Sequence, residues 1–455
     1  MVMVDLMVSE QQPDTAEKGV FAGFKLTEVG VIPEDWECVP LMSVGETFIG
    51  LTYSPNDVKD FGTLVLRSSN IQDGQLAFED NVYVQMQLPN RVITKSGDIL
   101  ICVRNGSRQL IGKCALIDAR TAGSAFGAFM SLYRSPLAPY VFYQLQSNLV
   151  QRQIAETLGA TINQITNKDL SNFKIAVPRN KDEYIEISDK LASIDGLIID
   201  LKKIVNKKQA IKTATMQQLL TGKTRLPQFA LRKDGTVKGY RRSEFGDIPE
   251  DWETSTLDNF ISKLDAGVSV NSVNEKDIFS HGKNILKTSC VSNGYFYGHE
   301  AKSIVPDDIN RAKTTPKKGC IIISRMNTPN LVGELGYVER DEPNLYLPDR
   351  LWQMNVCQEQ IIDNRWLAYI LSFPLISNKL KETATGTSNS MKNISKDSLY
   401  SLSFPRPSKD EQIAIATILS DMDKEIQTLH QRLDKTRQLK QGMMQELLTG
   451  KTRLI

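Results

Sequence analysis

Residues 219–226 read LLTGKTRL, and residues 447–454 read LLTGKTRL again. The repetition extends well beyond this string. GFKLTEVGVIPEDWE (23–37) matches GYRRSEFGDIPEDWE (239–253) at an offset of 216. LRSSNIQDG (66–74) matches LKTSCVSNG (286–294) at 220, and LIGKCALI (110–117) matches LVGELGYV (331–338) at 221. DEYIEISDKLASID (182–195) matches DEQIAIATILSDMD (410–423) at 228, a register that runs without a gap to the two LLTGKTRL strings. The ends of each half are alike and insertions accumulate between them. Such a chain holds two copies of one module. Two copies are too few for a solenoid, so the duplication predicts pseudo-twofold symmetry within one polypeptide.

Gly-Lys-Thr also closes a phosphate-binding P-loop, whose first glycine lies five residues upstream. Those positions are Gln217 and Gln445 here, and the residues before the glycine read as the ends of helices rather than of strands. A glycine just past a helix, with a cation beside it, is a stop signal.

Each half has the same order. A Gly-x-Ile-Pro-Glu-Asp-Trp segment comes first, where Pro breaks structure and Trp supplies a large buried anchor. Short β-branched runs follow at 63–66, 98–103 and 320–324, bounded by turn residues, and read as strands. Helical patterns lie near 139–158 and 364–382, which makes the interior α+β. Pro178 and Pro407 then precede long helices expected over 182–220 and 410–448. In the first, Ile187, Leu191, Ile194, Ile198, Leu201 and Val205 are spaced 4-3-4-3-4; Ile415, Leu419, Met422, Ile426, Leu429 and Leu433 repeat that spacing in the second. A heptad seam wants a partner helix. Each helix could pack on its own lobe, but two matched seams favour pairing with each other, antiparallel under a perpendicular pseudo-twofold axis. Each would be roughly 60 Å long.

The predicted organisation is an N-terminal extension (1–22), a first α+β lobe (23–181), a first spacer helix (182–226), a linker from 227 leading into a second lobe (to 409), and a second spacer helix (410–455). No apolar run is long enough to span a bilayer, and the N-terminus lacks the basic start and cleavage site of a signal peptide, so a cytoplasmic protein is expected. Six scattered cysteines without a CxxC pair argue against a zinc site or a disulfide framework. Three histidines leave little for histidine catalysis. Glycine-rich dinucleotide, amino-methyltransferase, clustered-carboxylate nuclease and serine-elbow patterns are all missing.

What remains is recognition. Duplex DNA rewards two readers at a fixed separation, and two diverged lobes in one chain would read an asymmetric bipartite sequence. A net charge of +2 argues mildly against a nucleic-acid binder, although acidic segments elsewhere can mask a basic face. Candidate contacts on turns beside strands are Arg67, Ser68, Ser69, Asn70, Arg104, Asn105, Arg108, Gln109 and Lys113. In the second half they are Lys287, Thr288, Ser289, Asn293, Arg325, Asn327 and Arg350. Arg with Asn or Gln suits guanine and adenine edges, while Ser, Thr and Lys commonly hold phosphates.

The duplicated Ile-Pro-Glu-Asp-Trp segment, the variable α+β interior and the heptad helix ending Leu-Leu-Thr-Gly-Lys-Thr-Arg-Leu resemble the specificity (S) subunits of type I restriction–modification systems, over about residues 20–455. The resemblance implies one target recognition domain per half. It implies that the helices form an antiparallel coiled coil that sets a non-specific gap in the DNA target. It also implies partners: two modification (methyltransferase) subunits that use S-adenosylmethionine, and restriction subunits that translocate and cleave double-stranded DNA with ATP. The S subunit itself would be non-catalytic and bind no cofactor. A protein-binding scaffold and a fused two-domain enzyme are the alternatives.

Overall fold

The computed structural model describes residues 22–159, 163–388 and 391–454. The extension expected over 1–22 lies outside the described residues except for its last position. The chain forms two compact units, Met1–Lys202 with Gln431–Ile455, and Lys203–His430. Each long helix, Lys181–Leu220 and Lys409–Leu447, therefore contributes one part to each unit. The physical reason is packing: the apolar face at each helix end belongs to the core of a lobe.

In the first unit, a hairpin of Phe24–Thr27 and Gly30–Pro33 leads into Trp36–Pro40, which pairs antiparallel with Lys174–Pro178. This pairing ties the two ends of the lobe together at the start of the first long helix. Between them, Cys114–Leu116, Ile99–Cys102, Met130–Arg134 and Glu46–Ile49 form an antiparallel sheet in that order. A second sheet has the order Ala125–Phe126, Thr63–Leu66, Tyr83–Val84, Val58–Lys59. The helical pattern near 139–158 is two helices, Ala138–Gln146 and Asn148–Thr157, broken at Ser147, whose side chain caps the second. The core gathers Trp36, Tyr133 and Tyr140 with Ile187 and Leu191 from the first long helix and Met444, Leu447 and Leu448 from the second.

The second unit repeats the plan. Its hairpin is Tyr240–Ser243 with Gly246–Pro249, and Glu253–Thr256 pairs with Ser403–Arg406. The main sheet has six strands, running Ile261–Ala266, Leu351–Val356, Ile321–Ser324, Leu335–Tyr337, Gly294–Phe296 and Val291–Ser292. The pattern near 364–382 is again two helices, Asn364–Ser372 and Pro374–Glu382. Leu219 and Leu220 join Ile415 and Leu419 in this core.

Within each unit the long helices run antiparallel. In the first, Glu183 pairs with Arg453 and Asp195 with Lys440. In the second, Lys208 pairs with Glu425, Lys212 with Asp423, and Arg225 with Glu411. As one residue number rises its partner's falls. Of the predicted seam, Ile187, Leu191, Ile198, Leu201, Val205, Ile415, Leu419, Ile426 and Leu433 are buried, while Ile194, Met422 and Leu429 are half-buried. Each unit is thus an α+β lobe packed on antiparallel segments of the two long helices.

The repeated string closes each unit. Gly222 and Gly450 adopt φ of +71° and +69°, the left-handed conformation that ends a helix. A β-carbon at Gly222 would lie 2.5 Å from the Pro249 ring, and one at Gly450 would strike Pro33. The arginine three residues on makes a fork. Arg225 bonds both oxygens of Glu411 (2.6 and 2.7 Å) and reaches Asp251 at 2.8 Å. Arg453 does the same with Glu183 and Asp35. Each guanidinium lies over a fully buried indole, Trp252 or Trp36, whose N–H donates to the same glutamate. The end of one long helix is thus bolted to the start of the other and to the Pro-Glu-Asp-Trp segment.

One consequence is acid sensitivity. The hydrogen bond from Arg453 is the main cause holding the Asp35 carboxyl below its ordinary value of 3.8. The unfolded chain then binds the proton more readily, so this contribution is complete above about pH 4 and fades as pH falls through the lower folded value. Acid unfolding followed by tryptophan fluorescence should show the Asp35→Asn variant losing less stability than the parent between about pH 5 and about pH 2. Equal acid sensitivity would remove Asp35 from the account.

Candidate nucleic-acid interface

The richest cluster of predicted residues lies in the first unit, where two loops meet. Thr63–Leu66 ends in Arg67 and a 3-10 turn, Ser68–Asn70. Asn70 shapes this loop. Its Oδ1 accepts from the Arg67 N–H at 2.9 Å, and its amide donates to the carbonyls of Ala77 and Asp80. Asn70 is fully buried and its amide is taken up by backbone groups, so it shapes the loop from within. The second loop follows Ile99–Cys102. There Asn105 donates to Ser68 Oγ at 3.0 Å and joins the loops.

Arg67, Ser68 and Ser69 line a cleft of about 520 Å³ together with Leu51, Tyr53, Asp80, Phe129 and Met130. Close backbone approach shapes its floor. Gly50 lies against the Gly127 carbonyl so tightly that any β-carbon would collide. Arg67 forms an ion pair with Asp80 at 2.8 Å. Phe129 is 56% exposed and carries the Arg104 guanidinium 5.1 Å from its ring centre.

Three other predictions fall elsewhere. Arg108 donates to the carbonyls of Ala155 and Leu158 at 2.9 and 3.3 Å, satisfying the end of helix Asn148–Thr157. These bonds tie the exposed Arg108 to the unsatisfied carbonyls at that helix end. Gln109 is exposed and Lys113 half-buried, and neither lines the cleft.

The second unit preserves the frame and changes the side chains. The Arg104 N–H donates to the Phe129 carbonyl at 3.1 Å, and the Arg325 N–H donates to the Arg350 carbonyl at 3.0 Å. An exposed aromatic in one unit is therefore an exposed cation in the other. Lys287 faces Glu300 at 3.7 Å, as Arg67 faces Asp80, and Ser289 donates to the same glutamate at 2.7 Å. Thr288 is half-buried in that turn. Asn293 is exposed at φ +52°, its N–H on Glu334. Arg325 stacks on Trp352 and donates to the Asp349 carbonyl, while Asn327 donates to Ser324.

Sequence reasoning selected polar loop residues and so missed Phe129, Tyr53 and Asp80. A phenylalanine on a Gly-Ala-Phe turn between two strands was the available signal for the first.

Among the described residues no group of three or more His, Cys, Asp or Glu side chains is placed to hold a metal, and no helix is long and apolar enough to cross a membrane. Burial pushes the Cys114 thiol up to about 12 and raises Cys102 and Cys290. These thiols stay protonated at neutral pH and unsuited to nucleophilic work.

Two regions of the chain, 33–213 and 249–438, match the family described as Type I restriction modification DNA specificity domain. The chain is 27% identical over 448 residues to a Methanocaldococcus jannaschii protein assigned as the specificity subunit of type I restriction enzyme MjaX, covering 95% of this chain and 97% of that one. It is 23% identical over 408 residues to the type I restriction enzyme EcoKI specificity subunit of Escherichia coli (strain K12), covering 85% and 82%. The fold resembles the crystal structure of a type I restriction–modification S subunit from M. genitalium, with a TM-score of 0.56 at 14% identity over 90% of this chain and 96% of that one. With its two lobe-and-helix halves each matched in turn, the chain belongs to the type I restriction–modification DNA specificity family.

Proposed function

We propose that this chain is the DNA-reading, non-catalytic subunit of a cytoplasmic type I restriction–modification complex. Each lobe reads one part of an asymmetric, interrupted duplex sequence. The observation that carries this reading is one frame presented twice with different side chains at the same position, Phe129 in one lobe and Arg350 in the other. Divergent readers on a common frame suit two different half-sites.

The helices supply docking surface. Besides the buried seam, the first long helix exposes Leu197, Ile204 and Ile211 at heptad spacing. Ile185 and Ile211 have exposed apolar equivalents at Ile413 and Leu439 in the second. Duplicated apolar residues on a helix surface support two equivalent modification subunits, which would bring S-adenosylmethionine; restriction subunits would bring ATP. A scaffold or a fused enzyme would not call for side chains that diverge where the frame is conserved.

Methylome sequencing tests the proposal. Cells carrying the intact system should show one interrupted, asymmetric methylated motif, and deleting this gene should erase it. Persistence of the motif would refute the reading. A second expectation concerns spacing. Seven residues inserted into each long helix, near Val205 and Leu429, add about 10 Å of helix. The gap should grow by about three base pairs at 3.4 Å each, with both half-sites unchanged. Altered half-sites would show that the helices do more than space.

A further inference from the structure

The cleft in the first unit is more than a polar loop surface. It is concave, at about 520 Å³, within the range of small-molecule sites. It combines an exposed aromatic ring, apolar walls from Leu51 and Met130, and a cation beside a carboxylate. Two polar atoms of its lining residues, Arg67 Nε and Ser69 Oγ, are buried without a hydrogen-bond partner among the described residues. A base removed from its stack is held in this manner, by an aromatic face and by donors and acceptors on its edge.

We propose that this cleft takes one unstacked nucleobase bearing an exocyclic amino group. The assignment deepens the DNA-reading function and rests on it. Phe129 supplies the stacking surface, and Arg104 backs it from 5.1 Å. Asp80 accepts from the amino group, while Arg67, held 2.8 Å from Asp80, donates to the neighbouring ring nitrogen or carbonyl. Adenine, cytosine and guanine each offer an amino donor beside an acceptor; thymine has no amino group. The second unit keeps a cation–carboxylate pair in Lys287 and Glu300 but has Arg350 where Phe129 stands. It lacks the stacking face, so the site belongs to the first unit.

The test uses the full chain with the four deoxynucleoside monophosphates, read by saturation-transfer NMR and calorimetry. Those of adenine, cytosine and guanine should bind at least about ten-fold more tightly than that of thymine. Phe129→Leu and Phe129→Arg should each weaken binding about ten-fold, in keeping with the loss of one base–aromatic stack. The exposed ring makes both substitutions compatible with folding. Asp80→Asn should erase the discrimination against thymine. No saturable binding, equal binding of all four, or indifference to Phe129 would each overturn the assignment. The methylome separates the levels. A motif lost on gene deletion but unchanged by Phe129→Leu would leave DNA reading intact and remove the base site.

Discussion

Replacing Arg225 with alanine should destabilise the second unit by about 3–5 kcal/mol, the range for breaking one side of a buried ion pair. The side chains of Arg225 and Glu411 are only 7% and 2% exposed. Arg225 bridges Glu411 to Asp251 through paired hydrogen bonds to each. Without it, Glu411 keeps the Trp252 N–H as a donor but loses its countercharge, while Lys238 still reaches Asp251. The indole also loses the guanidinium lying 5.8 Å from its centre. Arg453→Ala removes the matching fork in the first unit, yet Arg453 is 35% exposed. Glu183 is only 1% exposed, but Asp35 is 58% exposed and a guanidinium already partly in water leaves a gap that water can enter, so the cost there should be smaller. Urea unfolding of the full chain, followed by tryptophan emission, should resolve the difference. A loss under about 1 kcal/mol at Arg225 would show that the fork is incidental to stability.

The same fork shows where sequence reading reached its limit. The duplication, the α+β interior, the two long helices and their stop glycines were legible because each is a local or periodic signal. The arginine's purpose was not. Glu411 lies 186 residues after Arg225 in the chain, and no local pattern reports a partner so distant. The loops were less legible for a related reason. Asn70 and Arg108 have the side chains of DNA readers, but backbone carbonyls nearby needed donors and took them. Phe129 was passed over because a search for polar readers discounts an aromatic residue, and only the fold reveals that its ring is exposed. The heptad pattern picks out apolar positions alone. In fact Lys212, Asp423 and Thr436 are buried on the helix pair, and charge at such positions becomes visible only once partners are in place.

Those charges set the second large expectation: Asp423→Ala should cost the second unit about 3–5 kcal/mol, and removing Lys212 as well should not restore it. Asp423 accepts from Lys212 at 2.5 Å, from Tyr369 at 2.6 Å and from Tyr295, and Arg365 lies 3.7 Å away. Burial first, and Asp423 with it, raise both tyrosine hydroxyls above their ordinary value, although Arg365 works against this at Tyr369, so they remain donors at neutral pH. A simple buried pair can be exchanged for apolar side chains at little cost. Here a double substitution to leucine would leave the Tyr295 hydroxyl without either of its partners and take Asp423 from Tyr369 and Arg365, which keep Ser420, each a further desolvation penalty. Asp195 is the control. It meets Lys440 at 2.7 Å and Tyr143 at 3.0 Å, and both members of its ion pair are 17% exposed, against 11% and 6% for Lys212 and Asp423. Asp195→Ala should therefore cost less, and the double leucine variant with Lys440, which takes a partner from Tyr143 alone, should recover more of the loss. Equal behaviour of the two clusters in double-mutant cycles would show that the tyrosines and Arg365 add nothing beyond the lysine–aspartate pair.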